Sequence, residues 1–220
     1  MTTIRKGDRG VEVKVLQKAL HLYEDGIFWT LTDEAVRAFQ KRNGLVVDGI
    51  VGQQTWQALG ITDLYSVKKS KRIINEIIVH CSATPEGRDV TTAEIKQWHL
   101  ARGFSDIGYH YVVYRNGDIR EGRNVDISGA HCTGHNQHSI GVCYVGGLAK
   151  DGKTPKDTRT DKQREALAWL LKGLKDVYPK ARIIGHRDTS PDKNGNGVID
   201  KWERIKDCPC FDAKVEYKNL

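Results

Sequence analysis

The stretch Ile73-Ile74-Asn75-Glu76-Ile77-Ile78-Val79-His80 decides how the larger part of this chain folds. Its β-branched residues predict a buried strand that ends at His80. Open α/β sheets commonly present functional groups where their strands end. His186 follows a second short strand pattern, Arg182-Ile183-Ile184, in the same way. The two histidines are therefore the first candidate functional residues.

Strand and helix patterns alternate through the rest of this region. Thr91-x-x-Glu94 and Thr160-x-x-Gln163 are capping boxes, which predict two helix starts. Residues 111–114, followed by Asn116-Gly117, indicate a hairpin, and residues 140–145 form another strand pattern. We therefore predict an α/β domain over residues 73–220, in which helices pack over one central sheet.

The first 60 residues have a different organisation. Asp25-Gly26-Ile27 is repeated as Asp48-Gly49-Ile50, and Asp-Gly is typical of turns. Helical patterns surround these turns, with Thr32 expected to cap the second helix. We predict a small three-helix bundle over residues 1–60 and a linker over the basic stretch 61–72. The alternative for residues 61–72 is a surface loop within a single domain.

Composition excludes several classes of protein. With 39% hydrophobic and 29% charged residues, the chain can form a packed core. No run approaches the ~18 apolar residues of a membrane span. The start of the chain lacks the apolar stretch of a secretory signal, which predicts a cytoplasmic location with reduced thiols. The net charge of +7 favours a polyanionic partner, which could be nucleic acid, an anionic membrane or an acidic cell wall.

Zinc is the metal that the candidate histidines favour. It binds imidazole and thiolate ligands, and its catalytic sites keep one position open for water. His80, His186 and Cys208 could supply three ligands from separate segments, with Cys210 as the rival thiol. Cys81 should point to the opposite strand face from His80. Spacing alone is weak evidence, because eight histidines and five cysteines offer many such triples.

Five short motifs occur in order: His80-Cys81-Ser82-Ala83-Thr84, Gly108-Tyr109-His110-Tyr111, Ser139-Ile140-Gly141-Val142, Gly185-His186-Arg187-Asp188 and Lys206-Asp207-Cys208-Pro209. Together they resemble the zinc-dependent N-acetylmuramoyl-L-alanine amidases of the phage-lysozyme and peptidoglycan-recognition type, over about residues 73–215. The resemblance implies a mixed sheet flanked by helices. It also implies hydrolysis of the amide between N-acetylmuramic acid and the L-alanine of the stem peptide.

The same resemblance implies roles for individual residues. The zinc ligands fall on His80, His186 and Cys208, and the catalytic residues fall on Tyr109 and Lys206. Tyr109 would hydrogen-bond the attacking water or the oxyanion, and Lys206 would stabilise that oxyanion. The alternatives are a core aromatic for Tyr109 and a solvated surface side chain for Lys206. We further expect the substrate groove to be lined by two loop residues, His131 and Asn136, whose alternative is a purely local role.

The long segment between His186 and Cys208 contains a possible calcium loop. Residues 192–203 fit the pattern D-x-[DN]-x-[DN]-G-x5-E at every specified position. The pattern predicts calcium ligands at Asp192, Asn194, Asn196, the Val198 carbonyl, Asp200 and Glu203. Pro191 argues against a normal entering helix. The alternative is an Asx-rich surface insertion without metal.

The N-terminal unit resembles the three-helix peptidoglycan-binding domain over about residues 4–60. The motifs are residues 6–17, Ala35-Val36-Arg37-Ala38-Phe39-Gln40 and Asp48-Gly49-Ile50-Val51-Gly52, and Trp29 stands where that family usually has glycine. The combination implies a monomeric, modular endolysin that waits in the host cytoplasm before its release to the cell wall. The alternatives are a catalytically inactive peptidoglycan recognition protein and a nucleic-acid- or polymerase-binding regulator. No nucleic-acid motif supports the regulator.

Overall fold

A computed structural model describes residues 3–61 and 67–220, and the chain divides into two compact units, Met1–Ser66 and Val67–Leu220. Residues 62–66 of the predicted linker lie outside the described residues. Residues 67–72 are part of the second unit. Ser70 is buried there, with its backbone N–H donating to the Tyr178 hydroxyl and its Oγ donating to the Val125 carbonyl. These hydrogen bonds fix residues that the sequence placed in a linker.

Within residues 3–61, the described part of the first unit, there are three helices: α1 (Val11–Ala19), α2 (Thr30–Arg42) and α3 (Gln53–Ala58). The apolar core of this unit includes residues of the helices and of the segments between them: Ile4, Val13, Leu16, Phe28, Val36, Val51 and Trp56. Helix α2 begins at Thr30, and the expected capping role of Thr32 is wrong. Thr32 is buried instead, where its hydroxyl donates to the Ile27 carbonyl.

The second unit is built on a mixed five-stranded sheet. Its strands are β1 (Glu76–Cys81), β3 (Tyr111–Val113), β4 (Ile119–Glu121), β5 (Ser139–Tyr144) and β7 (Arg182–Gly185), in the order β4-β3-β5-β1-β7. Only the β3–β4 pair, the predicted hairpin, is antiparallel. A separate two-stranded sheet pairs β2 (Thr84–Pro85) with β6 (Gly147–Leu148). Strand β1 starts at Glu76 rather than at Ile73, which is exposed.

Three helices accompany this sheet: α4 (Thr92–Leu100), α5 (Asp161–Val177) and α6 (Ala213–Glu216). Both predicted capping boxes are confirmed, at the starts of α4 and α5. Helix α5 buries an apolar stripe in the main core: Ala166, Leu167, Leu170, Leu171 and Leu174. In the described part of the chain, no helix is both long and apolar enough to cross a membrane.

The sheet order determines where the candidate site forms. Strand β1 pairs in parallel with β5 on one side and with β7 on the other. Val79 of β1 is in register with Gly185 of β7, so His80 and His186 follow at the same sheet edge. Parallel neighbours end at the same edge, and this brings together two histidines that are distant in the sequence.

Candidate metal centre

His80, His186 and Cys208 form a group that could bind a metal. One ligand atom from each lies within 4.8 Å of the others, and no other such group of histidine, cysteine or acidic residues occurs among the described residues. The two Nδ1 atoms of the histidines are 3.1 Å apart, and Cys208 Sγ lies 3.8 Å from His80 Nδ1. Two imidazoles and one thiol match the ligand chemistry of zinc.

Backbone hydrogen bonds hold Cys208 in this position. The backbone N–H of Cys81, next to His80, donates to Cys208 Sγ at 3.2 Å. The backbone N–H of Arg187, next to His186, donates to the Cys208 carbonyl at 2.7 Å. The loop that carries the thiol is thus tied to the residues that follow both histidines.

The other cysteines lie outside the group. Cys81 belongs to the main apolar core, and its Sγ is 3.9 Å from that of Cys210. Cys210 Sγ donates to the Gly147 carbonyl. Cys143 is fully buried in β5. The group therefore contains Cys208, and the thiol of its rival Cys210 is directed elsewhere.

The site keeps its histidines in the neutral form. Burial lowers the pKa of His80 well below its usual range, and the nearness of His131, His186 and Lys206 lowers it further. Burial and then Lys206 lower the pKa of His186 to about 4. A neutral imidazole has the free lone pair that a metal requires.

Tyr109 and Lys206 both lie beside this group. The Tyr109 ring centroid is 5.2 Å from that of His80. Burial raises the pKa of Tyr109 well above its usual range, so its hydroxyl keeps its proton at neutral pH and can donate a hydrogen bond. Lys206 is exposed, and its charge is felt by both histidines. Its position in the loop before Cys208 therefore brings a positive charge to the rim of the site.

His131 and Asn136, the two residues expected to line a substrate groove, both make hydrogen bonds inside the second unit, and their contact with substrate stays a prediction. His131 is buried, and its Nδ1 lies 3.0 Å from His80 Nε2. Asn136 Oδ1 accepts the backbone N–H groups of His131 and Cys132, both at 2.9 Å. Asn136 thus braces the loop, and His131 supports His80 from the side away from the metal ligands.

This contact of His131 is the part of the site that sequence reasoning missed. A metal-binding histidine usually donates its second ring N–H to a fixed acceptor. That rule predicts that His80 has such a partner. It cannot choose the partner, because the chain has eight histidines and many carbonyls.

The predicted calcium loop is folded on its own hydrogen bonds. Glu203 is buried, with Oε1 accepting the N–H groups of Lys193 and Asn194 and Oε2 accepting that of Asp200. Asp192 accepts the N–H groups of Gly195 and Gly197. In the described residues, the carboxylates of this loop do not form a metal-ligand group. Calcium binding stays a prediction.

Each of the two units matches the model of a known family. Residues 70–209 match the family model of N-acetylmuramoyl-L-alanine amidase, and residues 9–59 match that of a peptidoglycan binding domain. The endolysin of Enterobacteria phage K11 is 40% identical over 140 residues, which cover 64% of this chain and 83% of that endolysin. The endolysin of Escherichia phage T7 is 36% identical over 146 residues, which cover 66% of this chain and 87% of that endolysin.

Solved structures share the fold of the second unit. N-acetylmuramoyl-L-alanine amidase LysC from Clostridium intestinale has a TM-score of 0.50 at 24% identity, covering 66% of this chain and 82% of that one. Wild-type Drosophila PGRP-LB has a TM-score of 0.51 at 23% identity, and the match covers 70% of this chain and 84% of that one. The amidase family model spans more than half of the chain, and the motifs that carried the resemblance lie within it or at its edge. The chain therefore belongs to the N-acetylmuramoyl-L-alanine amidase family and is an amidase.

Proposed function

We propose that this protein hydrolyses the amide between N-acetylmuramic acid and L-alanine of peptidoglycan, with zinc held by His80, His186 and Cys208. The observation that supports this most strongly is the convergence of two neutral imidazoles and one thiol within 4.8 Å at one sheet edge. Zinc on such ligands lowers the pKa of a bound water to about 7 and polarises a carbonyl.

The chain's own side chains complete the chemistry. Tyr109 retains its proton at neutral pH, so its hydroxyl can donate to the oxygen of the scissile carbonyl as negative charge develops there. Lys206 brings a positive charge to the rim of the site, because it lies two residues before Cys208 in the loop that delivers the thiol. In comparable sites a donor of this kind contributes roughly 2.7–4 kcal/mol to transition-state stabilisation.

The N-terminal unit would hold the enzyme on its substrate. Its match to a peptidoglycan binding domain supports a small three-helix module that binds the wall. Attachment of this kind raises the local concentration of cleavable bonds around the second unit. The net charge of +7 favours the anionic wall as partner. We place the protein among endolysins, acting as a monomer that is released from the host cytoplasm to the wall.

A catalytically inactive recognition protein is the second candidate, and the similarity of the chain to a peptidoglycan-recognition protein of Drosophila melanogaster is the observation that favours it. Recognition without catalysis would need no complete ligand set. This chain retains both histidines and the thiol, together with Tyr109 beside them. The amidase is therefore the function that the geometry supports better.

Digestion of purified bacterial walls by the full chain tests the proposal. We expect about one zinc per chain by metal analysis, and new L-alanine amino termini by mass spectrometry. A strong chelator should abolish digestion, and added zinc should restore it. Cys208→Ser should lose both zinc and activity, whereas the neighbouring thiol variant Cys210→Ser should keep both. New reducing sugar ends, or full activity of the zinc-free protein, would contradict the proposal.

Calcium at residues 192–203 is a separate hypothesis that depends on the sequence pattern. Calcium would replace the internal hydrogen bonds of the loop as the partner of its oxygens. Calorimetry on chelator-treated protein should then show heat on calcium addition, which Asp192→Asn should reduce. No heat and no change in melting temperature would remove calcium from the description of this protein.

A further inference from the structure

We propose that His131 is a positioning residue of the metal centre, which fixes the ring and tautomer of His80 so that Nδ1 of His80 faces His186 and Cys208. This inference rests on the proposed zinc function and adds His131 to the residues that hold the zinc ligands in place. The contact that carries it is the 3.0 Å separation between His131 Nδ1 and His80 Nε2. His131 itself does not belong to the group of ligand atoms.

The direction of each hydrogen bond in this series follows from Ser139, which lies at the end farther from His80. Ser139 Oγ is 2.8 Å from the His135 carbonyl, which can only accept, so the single hydroxyl proton of Ser139 points there. Ser139 Oγ must then accept from His131 Nε2, which lies 3.4 Å away. A neutral His131 that donates from Nε2 has its lone pair at Nδ1.

The next step sets the tautomer of His80. Because His131 Nδ1 accepts, His80 must donate its proton from Nε2. The lone pair of His80 is then on Nδ1, the atom that lies 3.1 Å from His186 Nδ1 and 3.8 Å from Cys208 Sγ. The series of hydrogen bonds thus presents the correct atom of His80 to the metal before any metal binds.

Packing holds the His131 ring in this one place. A Cβ on Gly141 would lie 2.5 Å from His131 Cδ2, and a Cβ on Gly129 would lie 2.4 Å from the same atom. Neither glycine has a positive φ that would explain its presence, so both serve to leave room for the ring. His80 and Ser139 are buried with it. Such a slot admits little rotation of the imidazole.

Zinc affinity of the full chain tests the inference without relying on activity. The variants are His131→Leu, which removes the acceptor, and His131→Asn, whose Oδ1 falls where Nδ1 lies in histidine. Titration against a chromogenic chelator should show His131→Leu binding zinc about 10–100-fold more weakly than the wild type. His131→Asn should recover most of that loss. When cobalt replaces zinc, the His131→Asn variant should give the same absorption spectrum as the wild type. The His131→Leu variant should give an altered spectrum.

Further measurements keep the outcome interpretable. If His131→Leu does not fold, His131→Gln replaces it, since the Gln amide reaches past the Nδ1 position and should bind zinc more weakly than His131→Asn. Equal zinc affinity for the wild type and a folded His131→Leu variant would overturn the inference. It would also be overturned if His131→Asn lost as much zinc affinity as His131→Leu, or as His131→Gln where that variant replaces it. A wild type that binds no zinc would instead contradict the proposed function.

Discussion

Gln17 and Gln40, which lie 23 residues apart, make the same hydrogen bonds in two successive turns of the first unit. Both are buried. Each amide nitrogen contacts an aspartate carboxylate, an isoleucine carbonyl and a threonine hydroxyl, and each amide oxygen accepts a glycine N–H. The partners are Asp25, Ile27, Thr32 and Gly26 for Gln17, and Asp48, Ile50, Thr55 and Gly49 for Gln40. The unit therefore contains two copies of one structural motif.

Replacing either glutamine by leucine should destabilise the first unit. The change leaves the N–H of Gly26 or Gly49 buried without its acceptor, which costs about 1–3 kcal/mol. Because the motif is repeated, we expect Gln17→Leu and Gln40→Leu to have effects of similar size. Hydrogen exchange of the full chain, followed by mass spectrometry of peptides from residues 11–58, measures this loss of protection.

Gln57→Leu is the matched control, because Gln57 is exposed on α3. It should leave the exchange of the same peptides nearly unchanged. Protection in Gln17→Leu or Gln40→Leu equal to that of this control would show that the buried amides contribute no stability.

The repeat also shows what a sequence can predict. Asp25-Gly26 and Asp48-Gly49 are visible in the sequence, because turn chemistry is local. Gln17 and Gln40 look like ordinary polar residues of two helices, and only the tertiary structure turns them inward. The predicted capping role of Thr32 is wrong for the same reason, since its hydroxyl belongs to this buried network and not to a helix end.

The residues of the metal centre likewise fall into some that the sequence predicts and others that only the tertiary structure shows. His80 and His186 could be predicted because each follows a strand pattern, and parallel strands end at one edge. The resemblance selected Cys208, whose loop has no pattern of its own. The role of His131 depends on space left by Gly129 and Gly141 across the sheet end, and no local sequence signal reports that space.

Tyr109→Phe should lower turnover without loss of metal. The change removes a hydroxyl that keeps its proton, and the loss of a single donor to a developing oxyanion costs roughly 10²–10³ in rate. Zinc content and melting temperature should stay at wild-type values. Wall digestion rates with metal analysis check this, and Tyr23→Phe, at an exposed tyrosine of the first unit, is the control. Unchanged turnover would assign Tyr109 to packing alone.

Lys206→Gln should slow the reaction and also change the titration of His186. The positive charge of Lys206 helps to hold the pKa of His186 near 4, so its removal should raise that pKa in the metal-free protein. We expect turnover to fall roughly 10²-fold, as for loss of a charged oxyanion contact. NMR titration and digestion rates measure the two effects. Lys201→Gln, at an exposed lysine of the same segment, should change neither.

Gly141→Ala should disturb the metal centre from a position that touches no ligand atom of the group. The added methyl group would lie 2.5 Å from the His131 ring, so the ring must move away from His80. We expect a loss of about 1–3 kcal/mol in stability, as for overpacking, together with weaker zinc binding. Gly52→Ala, where nothing lies within 4 Å, should change neither quantity. If Gly141→Ala bound zinc as tightly as the wild type, the position of the His131 ring would not affect metal binding.

His110 should make the stability of the second unit depend on pH. Burial lowers the pKa of His110 to about 4, and the charges of Arg72 and Arg123 add to the effect. Its Nδ1 accepts the Gly141 N–H at 2.9 Å, a bond that only the unprotonated nitrogen can make. An unfolded histidine takes up its proton near pH 6.5. Between pH 6.5 and 4 the unfolded chain therefore binds more protons than the folded protein.

The free energy of unfolding should accordingly be constant with respect to this group above pH 6.5 and fall as the pH drops towards 4, by roughly 3 kcal/mol in total. His110→Asn should give a flatter profile, because the amide oxygen can accept the Gly141 N–H and does not titrate. Denaturant unfolding of the metal-free protein from pH 7.5 to 4.5 measures both slopes, and His21→Asn, at an exposed histidine, should follow the wild type. Parallel profiles for the wild type and His110→Asn would show that protonation of His110 does not limit stability in acid.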